Sequence, residues 1–210
     1  MPLLLLIRHG ENDYVKASKL PGRLPDIHLN EHGRKQAQAL GEALKDVPIK
    51  AIYSSPLERA METAAPIAEG RKLSIISEPD LMDTDIGSWQ GKSLKVLRRM
   101  KAWKVVQSAP SRFRFPEGES FGESQVRYAS TLERIAKKHN KPGDIVAIVF
   151  HADPIKLSLA YFLGMPLDHF QRLSCDTASL TALYLGEMGA NLIKLNQRPP
   201  FDFLDMGKKK

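Results

Sequence analysis

The sequence is poor in the features that would place it in several broad classes. It holds one cysteine, Cys175, among 210 residues, which excludes an internal disulfide and leaves that residue the role of an inert buried thiol. Its first apolar run, residues 3–7, is too short for a signal peptide or a membrane span and has no basic region ahead of it. A cytosolic protein without membrane contact is therefore expected. Repeats, low-complexity tracts and interdomain linkers are missing as well, so a single domain over residues 1–204 with a basic tail over residues 205–210 is expected. Nor is charge of one sign abundant. The net charge is +7, and Lys208, Lys209 and Lys210 supply three of it as a solvated end. The remaining +4 does not indicate a nucleic-acid partner, although it suits a small anionic substrate.

What is present is a recurring layout of apolar strand followed by polar turn. Leu3-Leu4-Leu5-Leu6-Ile7 reads as a strand buried on both faces and ends abruptly in Arg8, His9 and Gly10. Ala51-Ile52-Tyr53-Ser54-Ser55 leads into Pro56-Leu57-Glu58-Arg59, and Ile145-Val146-Ala147-Ile148-Val149-Phe150 leads into His151-Ala152-Asp153-Pro154. Each polar turn opens a proline-marked helix. If the strands are parallel, Arg8, His9, Arg59 and His151 meet at the carboxyl edge of one sheet, where ligands bind in such folds. The spacing predicts helices over residues 31–47, 56–69, 92–104, 120–139 and 154–163, and further strands over residues 73–77, 179–185 and 191–196. Strand and helix alternate, which points to an α/β protein with a mostly parallel, doubly wound sheet flanked by helices in three layers. Residues 13–29 and 81–91 lack a period and read as loops. Residues 92–118 read as a cap or lid insertion. Its Lys92, Lys95, Arg98, Arg99, Lys101 and Lys104 fit either recruitment of a phosphorylated substrate or a plain solvated face. His28-Leu29-Asn30-Glu31-His32 matches a zinc-peptidase pattern, but a helix cap at Asn30 leaves His28 off the helix, so no metal site is expected there.

Taken together, Leu-Ile-Arg8-His9-Gly-Glu, Ser-Ser-Pro-Leu-Glu-Arg59-Ala-Met-Glu-Thr63-Ala and His151-Ala-Asp-Pro-Ile resemble the histidine phosphatase superfamily, the phosphoglycerate mutase-like group. Leu81-Met82-Asp83-Thr84-Asp85-Ile86-Gly87-Ser88-Trp89-Gln90-Gly91 resembles the segment that carries that family's acid, and Pro116-Glu117-Gly118-Glu119-Ser120 its helix entry. The resemblance implies a phosphoglycerate mutase-like fold and a phosphomonoester hydrolase without cofactor or metal. It implies Arg8, His9, Asp83, Arg59 and His151 as catalytic residues, and phosphate or substrate contacts at Arg8, Asn12, Gly22, Arg59, His151 and Ala152.

The residue chemistry agrees with that implication. Two arginine forks suit the oxygens of a phosphoryl group, His151 can add a third donor when protonated, and a neutral His9 is a competent nucleophile toward phosphorus. Its other ring nitrogen should donate to a backbone carbonyl near Gly10. The acid is aspartate where relatives have glutamate, which leaves Asp83 and Asp85 both open. Val15 and Pro21 stand where mutases of the family use hydrogen-bonding side chains, so hydrolysis is favoured over mutase transfer. A non-catalytic phosphate-binding module is the contrasting alternative. A homodimer is compatible with the sequence.

Overall fold

The computed structural model describes residues 2–201, and the basic tail over residues 205–210 lies outside them. Six strands form one sheet in the order β3-β2-β4-β1-β5-β6: β1 (Leu3–Arg8), β2 (Ile49–Ser54), β3 (Ile75–Ser77), β4 (Ile145–Phe150), β5 (Leu180–Gly186) and β6 (Gly189–Gln197). β1 pairs with β4, β4 with β2 and β2 with β3 in parallel, while β5 and β6 run antiparallel at one side. The expected mostly parallel α/β sheet is thus what the chain forms.

Strand alternation explains the uninterrupted apolar run in β1. Leu5 and Ile7 point into one core with Leu40, Leu44, Ala60, Ala64 and Ile67. These come from α2 (Glu31–Leu44) and α3 (Glu58–Ala68). Leu4 and Leu6 point into a second core with Leu132, Ile135, Ile155 and Leu159, from α6 (Phe121–Lys138) and α7 (Ala152–Phe162). Leu4, Leu5, Leu6 and Ile7 are all 0% exposed, and each contributes about 1.5–3 kcal/mol by leaving water. One helical layer on each face of the sheet completes the three layers.

Several boundaries differ from the sequence reading, each for a local reason. Asn12 caps a single turn, α1 (Asp13–Lys16), inside the segment read as loop, through Val15 N–H at 2.9 Å. A four-residue helix is too short to show a period. The helix expected over residues 92–104 is two pieces, α4 (Leu94–Leu97) and α5 (Lys101–Ser108), with Met100 extended between them at φ −78° and ψ 139°. The break lets Trp103 stack on Trp89 at 6.2 Å in a third core that also holds Leu97, Phe115, Phe121 and Phe170. α6 starts where expected, at Ser120, with a full capping box to Glu123 that is worth about 1 kcal/mol.

Candidate active site

The carboxyl ends of β1, β2 and β4 supply the site. Parallel pairing sets Arg8 opposite Phe150, and His9 N–H donates to Phe150 carbonyl at 3.0 Å. The His9 and His151 rings consequently stand edge to face with centroids 5.2 Å apart. The turn after β1 is clamped. Gly10 N–H donates to Thr63 Oγ1 at 2.9 Å, and the start of α2 packs directly against the backbone. A Cβ on Gly10 would lie 2.7 Å from Gly33 carbonyl, and one on Gly33 would lie 2.0 Å from Glu11 carbonyl. Only two glycines allow this approach of helix to turn.

His9 Nδ1 donates to the Gly10 carbonyl at 2.7 Å, which leaves Nε2 with its lone pair facing the site. Burial, then the Arg59 and Arg8 charges, push the ring well below its usual pKa against the pull of the Gly10 bond, so the imidazole is neutral. His151 Nε2 lies 2.9 Å from Ser55 Oγ. If the Ser55 hydroxyl donates to Nε2, the ring proton sits on Nδ1, which lies 3.9 Å from Asp83 Oδ2. Burial, then Arg59 and His9, hold this ring neutral too. A neutral ring with its proton on Nδ1 can also donate to a ligand in the site.

Around these rings, Arg59 is fully buried, with Nη2 bonded to Gly22 carbonyl at 2.7 Å, and Arg8 Nη1 donates to Cys175 carbonyl at 2.7 Å. The Cys175 thiol is pushed up to about 11 by burial, as an unreactive thiol would be. Among the described residues, the buried side-chain polar atoms without a protein partner are Arg8 Nε, Asn12 Nδ2, Arg59 Nε and Nη1, His151 Nδ1 and one acceptor, Glu58 Oε2. Unpaired buried donors cost free energy unless a ligand meets them. Five donors gathered from Arg8, Asn12, Arg59 and His151 are what an oxyanion with several lone pairs would satisfy. Ala152 opens α7, whose first turn has no side-chain cap from His151, so its N-terminus adds a favourable field for an anion.

Of the two aspartates left open, only Asp83 reaches this cluster. Its Oδ2 lies 3.7 Å from Arg59 Nη2 and 3.9 Å from His151 Nδ1, and the side chain is 22% exposed. Burial raises its pKa to about 6, opposed by Arg59 and reinforced by Asp153. Asp85 is occupied elsewhere, accepting from Gly87 N–H at 3.0 Å and facing Arg23 at 3.6 Å. The zinc-like motif does not assemble on one helix face: Asn30 caps α2, and His28 bonds to Glu62 at 2.5 Å from outside the helix.

Sequence reasoning missed the residues that hold the Asp83 loop. Glu119 accepts five hydrogen bonds, from Arg23, Arg127 twice, Asp85 N–H and Ser124. Arg23 Nε in turn holds the Asp83 carbonyl at 2.8 Å, and Tyr128 holds the Met82 carbonyl at 3.0 Å. The signal available was the turn-rich Pro116-Glu117-Gly118-Glu119 just ahead of a capping box.

The model of the histidine phosphatase superfamily (branch 1) matches residues 4–198. The chain belongs to that family. As a histidine phosphatase it is 31% identical over 198 residues to phosphoserine phosphatase 1 of Hydrogenobacter thermophilus, covering 93% of this chain and 92% of that one. It is 36% identical over 158 residues to a metal-independent phosphoserine phosphatase of Arabidopsis thaliana, covering 73% and 65% respectively. Bacillus stearothermophilus YhfR superposes with a TM-score of 0.85 at 30% identity, covering 92% of this chain and 96% of that one. A phosphoserine phosphatase mutant of Entamoeba histolytica, solved with phosphoserine, superposes with a TM-score of 0.84 at 26% identity over 94% of this chain and 98% of that one. This histidine phosphatase is accordingly a phosphoric monoester hydrolase. Among its described residues no helix is long and apolar enough to cross a membrane.

Proposed function

We propose that the enzyme hydrolyses small phosphomonoesters through a covalent phosphohistidine on His9 Nε2, with Asp83 as general acid and then general base. In the first step the Nε2 lone pair attacks phosphorus and the ester P–O bond breaks. The Asp83 carboxyl proton goes to the leaving alkoxide, while His9 keeps its Nδ1 proton on the Gly10 carbonyl. In the second step the Asp83 carboxylate takes a proton from water, the oxygen attacks phosphorus, and the P–N bond breaks with its electron pair returning to Nε2. Arg8, Arg59, Asn12 and His151 hold the equatorial oxygens, where charge accumulates.

The observation that carries this reading is the gathering of unpaired buried donors around a neutral imidazole, with one carboxyl of raised pKa beside them. A binding module needs the donors but not the acid. Relatives named as phosphoserine phosphatases, and a neighbour solved with phosphoserine, support a small phosphorylated metabolite as the substrate class.

The test is rapid quenching with a radiolabelled phosphomonoester. Acid-labile, base-stable label should appear on His9 of the wild type and be absent from a folded His9→Ala variant that has lost turnover. Label recovered as an acid-stable serine ester would refute the mechanism.

A further inference from the structure

A cavity of about 330 Å³ opens beside Asp83, and two of its lining residues touch Arg59: the Gly22 carbonyl at 2.7 Å and Asp83 Oδ2 at 3.7 Å. A general acid stands between the phosphoryl group and the departing alcohol, so the space beyond Asp83 is where the leaving group lies; the inference rests on that role for Asp83. The wall of this space is apolar and aromatic, built from Ile86, Trp89, Leu94, Trp103, Val106 and Phe115. Trp89 lies in the segment after the acid, whereas Leu94, Trp103 and Val106 come from α4 and α5 of the cap. Its volume sits at the low end of small-molecule pockets, which run from about 300 to 1,000 Å³.

The polar groups in the wall offer a second anionic group on the substrate no free cation, only neutral donors such as the Gln107 and Gln171 amides. Among the described residues that line the cavity, the single cation is Lys156. Its ammonium is already bonded to Asp153 at 2.6 Å and sits 5.3 Å over the Phe170 ring. The eight cations between residues 92 and 114 are all exposed, and none lines the cavity. A second phosphate or a carboxylate on the leaving group would therefore have to displace an existing ion pair or rely on neutral amides, of which Gln171 Nε2 already donates to the Val106 carbonyl at 3.1 Å.

We infer that the enzyme is selective for phosphomonoesters of alcohols with an aromatic or branched apolar body, which the Trp89–Trp103 stack and its aliphatic neighbours enclose beyond Asp83. Selectivity then arises in the cap, and the cap's outward cations do not take part in it.

Four esters whose leaving groups are all simple alcohols test this in the wild type: 3-phenylpropyl phosphate, propyl phosphate, O-phosphoserine and 3-phosphoglycerate. The two unsubstituted alcohols have nearly equal basicity, so their ratio of kcat/KM reports burial of the ring. Removing a phenyl group from water corresponds to about 10- to 100-fold in favour of the phenylpropyl ester. Trp103→Ala, checked for native folding by circular dichroism, should cut that ratio at least threefold, because the half-exposed Trp103 supplies one wall. Equal kcat/KM for the phenylpropyl and propyl esters, or a tenfold preference for phosphoserine or phosphoglycerate over the phenylpropyl ester, overturns the inference and leaves the hydrolase mechanism standing. Turnover of none of the four overturns the mechanism and the inference with it.

Discussion

Replacing Glu119 by glutamine keeps the shape of the side chain and removes its charge. In the wild type Oε1 accepts from Arg23 at 3.0 Å and Arg127 at 3.1 Å, while Oε2 accepts from Arg127 at 2.8 Å, Asp85 N–H at 3.0 Å and Ser124 at 2.8 Å. An amide has one oxygen for these two clusters of donors, so its NH₂ group must face one of them. With 22% of the side chain exposed, water relieves little of the clash. Breaking a buried, hydrogen-bonded ion pair costs about 3–5 kcal/mol, and the partial exposure argues for the lower end. At about 2–4 °C per kcal/mol for a chain of this size, Tm should fall by about 6–12 °C. The pH dependence follows from the same contacts. Burial works against the Glu119 charge, but Arg127 and the Asp85 N–H outweigh it and hold its folded pKa below the usual value. Its stabilisation is thus present above the unfolded pKa and lost as pH falls through the folded one. The gap in Tm between wild type and variant should narrow in acid. Because the Arg23 and Arg127 bonds also hold the Asp83 loop, the burst with an alkyl phosphate should slow more than the burst with p-nitrophenyl phosphate. Thermal melts within 2 °C of wild type at neutral pH, or equal slowing of both bursts, would refute the argument.

Three further outcomes follow from the site. Asp83→Asn should slow phosphorylation of His9 by alkyl esters about 10²- to 10⁴-fold and by p-nitrophenyl phosphate much less, and equal slowing in quench-flow would remove Asp83 from the acid role. With the Asp83 pKa at about 6, the wild-type burst on alkyl esters should decline as pH rises through that value. Asp153→Asn should move the break to lower pH by removing the neighbouring negative charge, and an unmoved or raised break counts against the assignment. Activity should survive exhaustive chelation, since Arg8, Arg59, Asn12 and His151 supply the donors to phosphate; loss with EDTA restored by a divalent ion would contradict this.

How far the site could be read in advance depended on whether each residue's position followed from its own strand. Arg8, His9 and His151 each sit at the end of an apolar run, and Arg59 sits in the first turn of the helix after one, so period and punctuation located them. The choice between Asp83 and Asp85 was not legible. It depends on Arg23 and, from a segment about a hundred residues further on, Glu119 and Arg127 meeting to orient an aperiodic loop. Ser55 was hidden for a similar reason: its hydroxyl acquires meaning only when β4 delivers His151 alongside β2. The split between α4 and α5 was missed because Leu94, Leu97, Met100 and Trp103 keep a three-residue step across it. The step alone does not show that tertiary packing of Trp103 on Trp89 outweighs one continuous helix.

The central place of β1 bears on how the protein is made. Its two hydrogen-bonded neighbours are β4 and β5, both encoded far downstream, so β1 is synthesised long before either strand that pairs with it. Until then Leu3-Leu4-Leu5-Leu6-Ile7 offers an apolar strand with two open edges, the kind of segment that mispairs or recruits chaperones. Joining strands so distant in sequence is slow because a large loop must close before any pairing rewards it. Refolding should accordingly regain helical circular dichroism before catalytic competence, and release of phosphate would report closure of the sheet around its own first strand.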